Sequence, residues 1–311
     1  MTSEFEVLTY EKLRHFKIFL NKITYRNYHT HGAFELLWVQ EGHGSIQFRN
    51  GTASLHPGSL ILVNPHEVHE IDARGGSVLT LIFQFSRHFC QEYFPLLQSV
   101  RFDCHDISSI LDPKPLAACC THLLHASTAF WQESEHFPLL CVSHTTALLH
   151  LLLMSLPFTA LTEQDHVSLK KKIRRMARIS TYLEENYLRP IRLNDLAEQE
   201  NLTPTYISHL FTESYGISFQ SYLNNLRFEK AMEYLKNASM SLADAAMSSG
   251  FSDPKYLSRM FQKRIGCTLK EYRRGLHENA DTQAETPPGI LLEQIYTPME
   301  SLSYLKKQCS L

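Results

Sequence analysis

Two sets of polar side chains in this chain have the types and spacing needed to read base edges in DNA. Thr205, Ser208, His209 and Thr212 stand at i, i+3, i+4 and i+7. Lys255, Ser258, Arg259 and Gln262 repeat that spacing fifty residues later. On a helix such positions form one stripe. Hydroxyl, imidazole, ammonium and guanidinium groups on a protruding helix are the donors and acceptors that major-groove recognition uses. Each stripe is backed by an apolar one, Ile207, Leu210 and Phe211 in the first copy and Leu257, Met260 and Phe261 in the second. One such helix alone reads as a solvated face packed on a core. Two copies in a basic background point to nucleic acid.

The elements that must carry these stripes are duplicated as well. At an offset of 50, Pro204 matches Pro254, Tyr206 matches Tyr256, Phe211 matches Phe261, Gly216 matches Gly266 and Tyr222 matches Tyr272. Slightly upstream the offset is 49, pairing Asp195 with Asp244 and Ala197 with Ala246, so one residue is inserted near Asp253. Each copy reads as a short helix, a tight turn and a second helix. Thr203 serves as N-cap before Pro204, and Gly250 is the C-cap signal ahead of Asp253 and Pro254. This is a helix-turn-helix layout. Between the copies, residues 218–236 keep an unbroken helical pattern, with Phe219, Tyr222, Leu223 and Leu226 on one face. Nineteen residues make a spacer of roughly 28 Å. That is of the order of the ~34 Å between successive major grooves on one side of the duplex.

Charge follows the same division. The formal net charge of the 311 residues is −2, yet residues 166–275 hold 18 basic and 11 acidic side chains, a net of +7, and the remainder carries −9. Such a split suggests a polyanion-binding module joined to a second unit. Hydrophobic residues make up 43% and charged residues 20%, which excludes a wholly disordered or collagen-like chain. Seven cysteines with no C-x-x-C pair argue against a disulfide framework and a zinc knuckle. The longest apolar run, 147–156, is too short to span a bilayer, and the acidic N-terminus is no secretory signal. A cytoplasmic, reduced setting is expected.

Residues 16–85 show short alternating runs, among them 34–39, 45–48, 59–63 and 78–83. They are separated by turn signals at Gly42, Asn50-Gly51, Pro57-Gly58 and Gly75-Gly76. That spacing predicts an antiparallel sandwich or barrel. From about 115 to 156 the period becomes helical, and 157–166 reads as a linker behind the helix-stopping Pro157. Residues 290–311 form a short amphipathic piece with no evident place.

The segments 191–197 (IRLNDLA), 203–211 (TPTYISHLF), 250–261 (GFSDPKYLSRMF) and 266–273 (GCTLKEYR), with Arg227, closely resemble the AraC/XylS family of bacterial transcription regulators. The resemblance covers about residues 173–274 and is highly specific. It implies a seven-helix DNA-binding domain in which Thr205, Ser208 and His209 face bases in one groove and Lys255, Ser258 and Arg259 face bases in the next. Thr203, Thr212, Gln262 and Lys263 are assigned to the DNA backbone. Many members carry Arg or a large residue where His209 stands, so the first unit is expected to read DNA more weakly than the second.

The N-terminal zone is similar to the sensor half of the same family. His29, His31 and Glu35, followed by Gly42, match the first cupin motif, and Pro65 with His69 loosely follows the second; Ile23 stands where the first motif usually opens with glycine. Cupin enzymes hold a divalent metal with such a set, and imidazoles plus a carboxylate are competent for it. The sensory cupins that this zone resembles bind a small effector without metal. His29, His31, Glu35 and His69 are therefore assigned to an effector pocket, and no metal or cofactor is expected. Imidazoles and a carboxylate suit a carbohydrate-like polar metabolite. Strand alternation puts Glu35 and Leu37 on one side, and Phe34, Leu36 and Trp38 on the other.

The expected architecture is α+β with two domains. Residues 1–160 form a cupin-like antiparallel β-barrel with flanking helices. Residues 167–276 form an all-α domain with two helix-turn-helix units, and 277–311 form an extension. The expected function is sequence-specific transcription regulation without catalysis. The partners are double-stranded DNA, a small-molecule effector, RNA polymerase if the chain activates, and a second copy in a homodimer; no membrane is involved. The competing reading is a metal-dependent cupin enzyme with an accessory helical domain.

Overall fold

The structure, a computed structural model, describes residues 4–6, 10, 12–235, 240–265, 267–268, 271 and 293–308. The expected residues Gly266, Tyr272 and Arg273, and the first part of the extension, lie outside the described residues.

Twelve strands are described in chain order: β1 (Glu4–Glu6), β2 (Phe16–Ile23), β3 (Tyr25–His31), β4 (Ala33–Gly42), β5 (Gly44–Phe48), β6 (Gly51–Leu55), β7 (Leu60–Val63), β8 (His69–Asp72), β9 (Val78–Ser86), β10 (Val100–Phe102), β11 (Phe158–Ala160) and β12 (Glu293–Ile295). Ten of them build two five-stranded sheets, ordered β1-β3-β8-β5-β6 and β12-β2-β9-β4-β7. All pairings are antiparallel except β1 with β3.

The expected barrel is realised as two facing sheets with no hydrogen-bonded closure between them among the described residues. Both flanks of the second sheet are already taken. β12 pairs with β2. The edge of β7 is occupied by the 105–109 turn, where Leu62 N donates to His105 O at 2.7 Å. Paired edges leave nothing to zip shut.

Alternation decides what each sheet buries. Leu37, Val39, Val63 and Ile82 of one sheet meet Ile46, Phe48 and Ile71 of the other in a sandwich interior. The opposite face of the second sheet, including Phe16, Leu36, Leu62, Leu81 and Phe83, packs under two helices, α1 (Pro113–Gln132) and α2 (Phe137–Ser155). β9 is consequently buried at every position, which explains its near-continuous apolar sequence. Alpha-2 corrects the reading of apolar length. Taken from Phe137, the helix is long and apolar enough to cross a membrane, but it packs on α1 and buries Cys141, Thr145, Leu148, Leu149 and Leu152.

The supposed linker at 157–166 is structured. β11 pairs with β10, and Thr162 opens α3 (Glu163–Asn186) through a capping box with Asp165. Every residue of β11 is exposed, so no alternation marked it. Then come α4 (Leu193–Gln199), α5 (Pro204–Tyr215), α6 (Phe219–Leu235), α7 (Leu242–Ser248) and α8 (Pro254–Ile265). Two small cores serve this unit. One joins α3 to α6 through residues such as Leu183, Phe211 and Tyr222, and the other joins α6 to α8 through Phe228, Leu257 and Phe261.

The extension does not trail away. After β12 the chain forms α9 (Pro298–Gln308), which packs on α1 and contributes Leu305 to the core beneath it. Residues 293–308 are thus part of the N-terminal domain.

Candidate nucleic-acid interface and sensor site

The helices α5 and α8 are built alike. Thr203 Oγ1 accepts the Tyr206 amide at 3.2 Å and so caps α5, and Asp253 Oδ1 accepts the Lys255 amide at 2.8 Å ahead of α8. The preceding turns match as well. Asn201 and Gly250 both take positive φ, 53° and 82°, and both are followed by a backbone bond back into the first helix, Leu202 N to Ala197 O at 2.8 Å and Phe251 N to Ala246 O at 2.9 Å. Asn201 was missed as the counterpart of Gly250, although the offset of 49 aligns them.

Ile207, Leu210, Phe211, Leu257 and Phe261 are buried. Thr203, Thr205, Ser208, His209 and Thr212 on one unit, and Lys255, Ser258, Arg259, Gln262 and Lys263 on the other, are all exposed. Some have local duties. Thr212 Oγ1 donates to Ser208 O at 3.0 Å, and the Arg259 guanidinium lies 5.8 Å from the Tyr256 ring centroid.

Both units are pinned at one junction. Arg227 of α6 donates from Nε to Tyr187 O and from Nη2 to Arg189 O, each at 2.8 Å. Gly250 sits against the same backbone; a Cβ there would stand 2.7 Å from Tyr187 O and 3.0 Å from Leu188 Cα. Gly250→Ala is therefore expected to combine a left-handed penalty of ~1–2 kcal/mol with a backbone clash. Calorimetry should show the helical domain melting roughly 10 °C lower; an unchanged melting temperature contradicts the packing described.

The four residues assigned to an effector pocket converge inside the sandwich. His29 and His31 come from β3 and His69 from β8 on one sheet, and Glu35 from β4 on the other; all are between 0% and 4% exposed. The His29 and His69 rings are 4.0 Å apart between centroids, and those of His31 and His69 are 5.5 Å apart. Glu35 faces them, with Oε2 at 3.2 Å from His31 Nε2 and Oε1 at 3.7 Å from His69 Nε2. Each imidazole spends Nδ1 on a backbone carbonyl: Asn27 O at 2.8 Å, Ala33 O at 3.1 Å and Glu67 O at 3.1 Å. Carbonyls only accept, so each Nδ1 carries a proton and each Nε2 is turned inward.

Burial alone would raise the Glu35 pKa. The His31 contact, the His31 and His69 charges and the Gln84 Nε2 bond at 2.6 Å outweigh it and bring it down to about 2. Burial holds His69 down at about 4 against the pull of Glu35, and burial with the His69 and Arg26 charges drives His29 well below the ordinary range.

Inward Nε2 atoms oriented by backbone carbonyls are the arrangement that a metal-binding set requires, and His31, Glu35 and His69 offer ligand atoms within 4.8 Å of one another. These residues fit a divalent ion, which would supply positive charge opposite Glu35. Space is the constraint. The cavity beside Glu35 and His29 is about 30 Å³, room for roughly one water. Phe34 and Trp38 lie on the outer face against the helices. The sequence reading missed Gln84, whose polar side chain interrupts the apolar β9, and Arg26 and Glu293, which line the cavity. A cavity of about 620 Å³ lies between α2 and residues 88–94, away from the cluster.

The N-terminal sandwich and α5 touch. Thr30 and His66 share a cavity of about 70 Å³ with Lys172, Glu213 and Tyr215. Gly216, the left-handed cap of α5, lies against Tyr28, and a Cβ there would meet the ring at 3.3 Å.

Two family models match the chain, a helix-turn-helix domain over residues 196–275 and an AraC-like ligand binding domain over residues 21–149. Among relatives, the HTH-type transcriptional regulator ExsA of Pseudomonas aeruginosa is 28% identical, across 82% of this chain and 90% of that protein. The uncharacterised HTH-type transcriptional regulator YfiF of Bacillus subtilis is 25% identical across 79% of this chain and 78% of its own length. The uncharacterised HTH-type regulator YijO of Escherichia coli is 33% identical over 35% of this chain and 38% of that protein.

Proposed function

We propose that this chain, which belongs to the AraC/XylS family of transcription regulators, binds its operator through both helix-turn-helix units and is switched by a small polar effector sensed in the N-terminal sandwich. The observation that carries the reading is the pair of exposed polar stripes on two equivalently capped helices joined by one rigid helix. The 17 residues of α6 span roughly 26 Å. In this reading Thr205, Ser208 and His209 face bases in one groove and Lys255, Ser258 and Arg259 in the next. Thr203, Thr212, Gln262 and Lys263 contact phosphates. The contact of Tyr28 and Thr30 with the end of α5 gives the sensor a mechanical route to the first reading helix. A cytoplasmic homodimer that engages RNA polymerase when it activates completes the proposal.

The test is DNA-binding titration of the full chain against genomic fragments at several salt concentrations. Arg259→Ala should cost ~1–3 kcal/mol and relax preference at one base position, as expected for a bidentate guanine contact. His209→Ala should cost less, because imidazole offers fewer donors. Absence of binding at low salt overturns the regulator reading, and a larger loss for His209 reverses the ranking of the units.

The enzyme alternative draws support from the three ligand atoms offered by His31, Glu35 and His69. The cavity of about 30 Å³ is too small for a substrate and for an effector alike, so metal content is what distinguishes the readings. Metal analysis of the purified chain, with turnover assayed on the loaded protein, separates the two.

A further inference from the structure

The sensor interior is covered by a strand from the opposite end of the chain. β12 pairs antiparallel with β2, Glu293 opposite Ile23 and Ile295 opposite Asn21, and Tyr296 N donates to Leu20 O at 2.9 Å. The strand is only three residues long, and Ile295 is 57% exposed. The α9 helix that follows is anchored independently, through buried Leu305 and a Tyr304 hydroxyl that donates to Glu41 at 2.8 Å.

The Glu293 carboxylate is placed as a ligand would be. It forms an ion pair with Arg26 and accepts from Asn21 Nδ2 at 2.5 Å. With Arg26 and Lys17 it lines the small cavity that also touches His29, Glu35 and Gln84. The two ends of that cavity have opposite chemistry. The mouth is cationic and holds a carboxylate. The inner end is rich in acceptors: Glu35 Oε1 and Gln84 Oε1 are buried without a hydrogen-bond partner among the described residues, as is the neighbouring Asn21 Oδ1. His29 adds an Nε2 lone pair, since its Nδ1 proton goes to Asn27 O. Buried acceptors left unmatched are costly, and hydroxyl donors satisfy them.

We propose that this is a binding site for a polyhydroxylated carboxylate, a sugar acid, in which the ligand's carboxylate replaces Glu293 at Arg26 and Asn21 while its hydroxyls donate to Glu35, Gln84 and His29. The proposal rests on the effector-sensing reading above and names the ligand class of that site. The cavity is small because the chain's own carboxylate and Ile295 close it. Lifting three residues of β12 off β2 opens it while α9 remains docked.

The test uses the full chain, Glu293→Ala and Arg26→Gln, each checked for native circular dichroism. Thermal shift and calorimetry are run with matched pairs: glucuronate and glucose, galacturonate and galactose, gluconate and glucitol. At least one acid should bind while its neutral partner does not. Glu293→Ala should bind it at least tenfold more tightly than wild type because the internal competitor is gone, and Arg26→Gln should lose the preference for the acid. Hydrogen exchange should rise at the β2 amides in Glu293→Ala and, on adding the acid, in wild type. The proposal is overturned if neutral sugars bind as well as acids, if no acid binds Glu293→Ala, or if a divalent ion alone reproduces the stabilisation. DNA binding is measured on the same preparations. A chain that binds DNA but no sugar acid sinks this inference alone, and one that binds sugar acid but no DNA sinks the regulator reading.

Discussion

Acidification from pH 7 to pH 4 should remove at least about 3 kcal/mol from the stability of the N-terminal domain, and further acidification should remove more. The upper window belongs to imidazoles. His66 and His69 titrate near 4 in the folded chain, and His29 lies below the ordinary value of 6.5. Burial is the leading cause for all three, reinforced by Arg87 at His66 and opposed by Glu35 at His69. An unfolded chain takes up these protons first. The stabilisation is therefore complete above pH 6.5 and is lost as the pH falls from 6.5 towards 4.

The lower window belongs to Glu35 and Glu67, both held at about 2. Burial would raise the Glu67 pKa, but hydrogen bonding from His105 and the Arg101 charge pull it down. That stabilisation is present above about pH 4.5 and fades as the pH drops towards 2. His69 and Glu35 face each other, so their effects do not add simply. Urea unfolding followed by the fluorescence of Trp38 and Trp131 measures the whole. His66 sits at φ 63°, a conformation that Asn tolerates, so His66→Asn should keep the fold and flatten only the upper window. Stability that stays level from pH 7 to 5 would mean that the imidazoles are not held neutral.

Arg227→Ala should destabilise the helical domain by roughly 2–4 kcal/mol, because two carbonyls lose their charged donor. The side chain is 9% exposed and ties Tyr187 and Arg189, at the end of α3, to the middle of α6. Those helices carry the first unit, and Gly250 of the second packs on the same spot. Loss of Arg227 should therefore also weaken DNA binding with no change in base preference, unlike Arg259→Ala. Chemical denaturation and a DNA titration check the two halves. Arg227→Lys should recover little, since a single ammonium lacks the fork that reaches both carbonyls. Full rescue by Lys would make this a simple charge effect.

The helical domain was largely legible because its signals are local. Thr203-Pro204 announces a helix start, positions three and four apart declare the buried and exposed faces, and the fifty-residue repeat says it twice. Burial of Ile207, Leu210 and Phe211 against exposure of Thr205, Ser208 and His209 follows from helix period alone. In the sandwich, alternation likewise put Glu35 and Leu37 on one side and Phe34 and Leu36 on the other. The linker was misread because β11 is three exposed residues whose strand character comes only from pairing with β10.

What the sequence by itself determined is therefore everything encoded within about one element's length: helix faces, caps, turns, strand alternation and the duplicated unit. Which elements meet was left to the tertiary structure. Edge pairing depends on partners that propensity does not name, so the second sheet, expected to close into a barrel, instead ends on β12 and on the 105–109 turn. Glu293 pairs with Arg26 across 267 positions of chain, a separation over which no periodic signal survives. Cavity size is likewise a sum over all the packed side chains. The His/Glu cluster could be assembled from its motif, but the space that it encloses, and the carboxylate that closes it, are products of the folded chain.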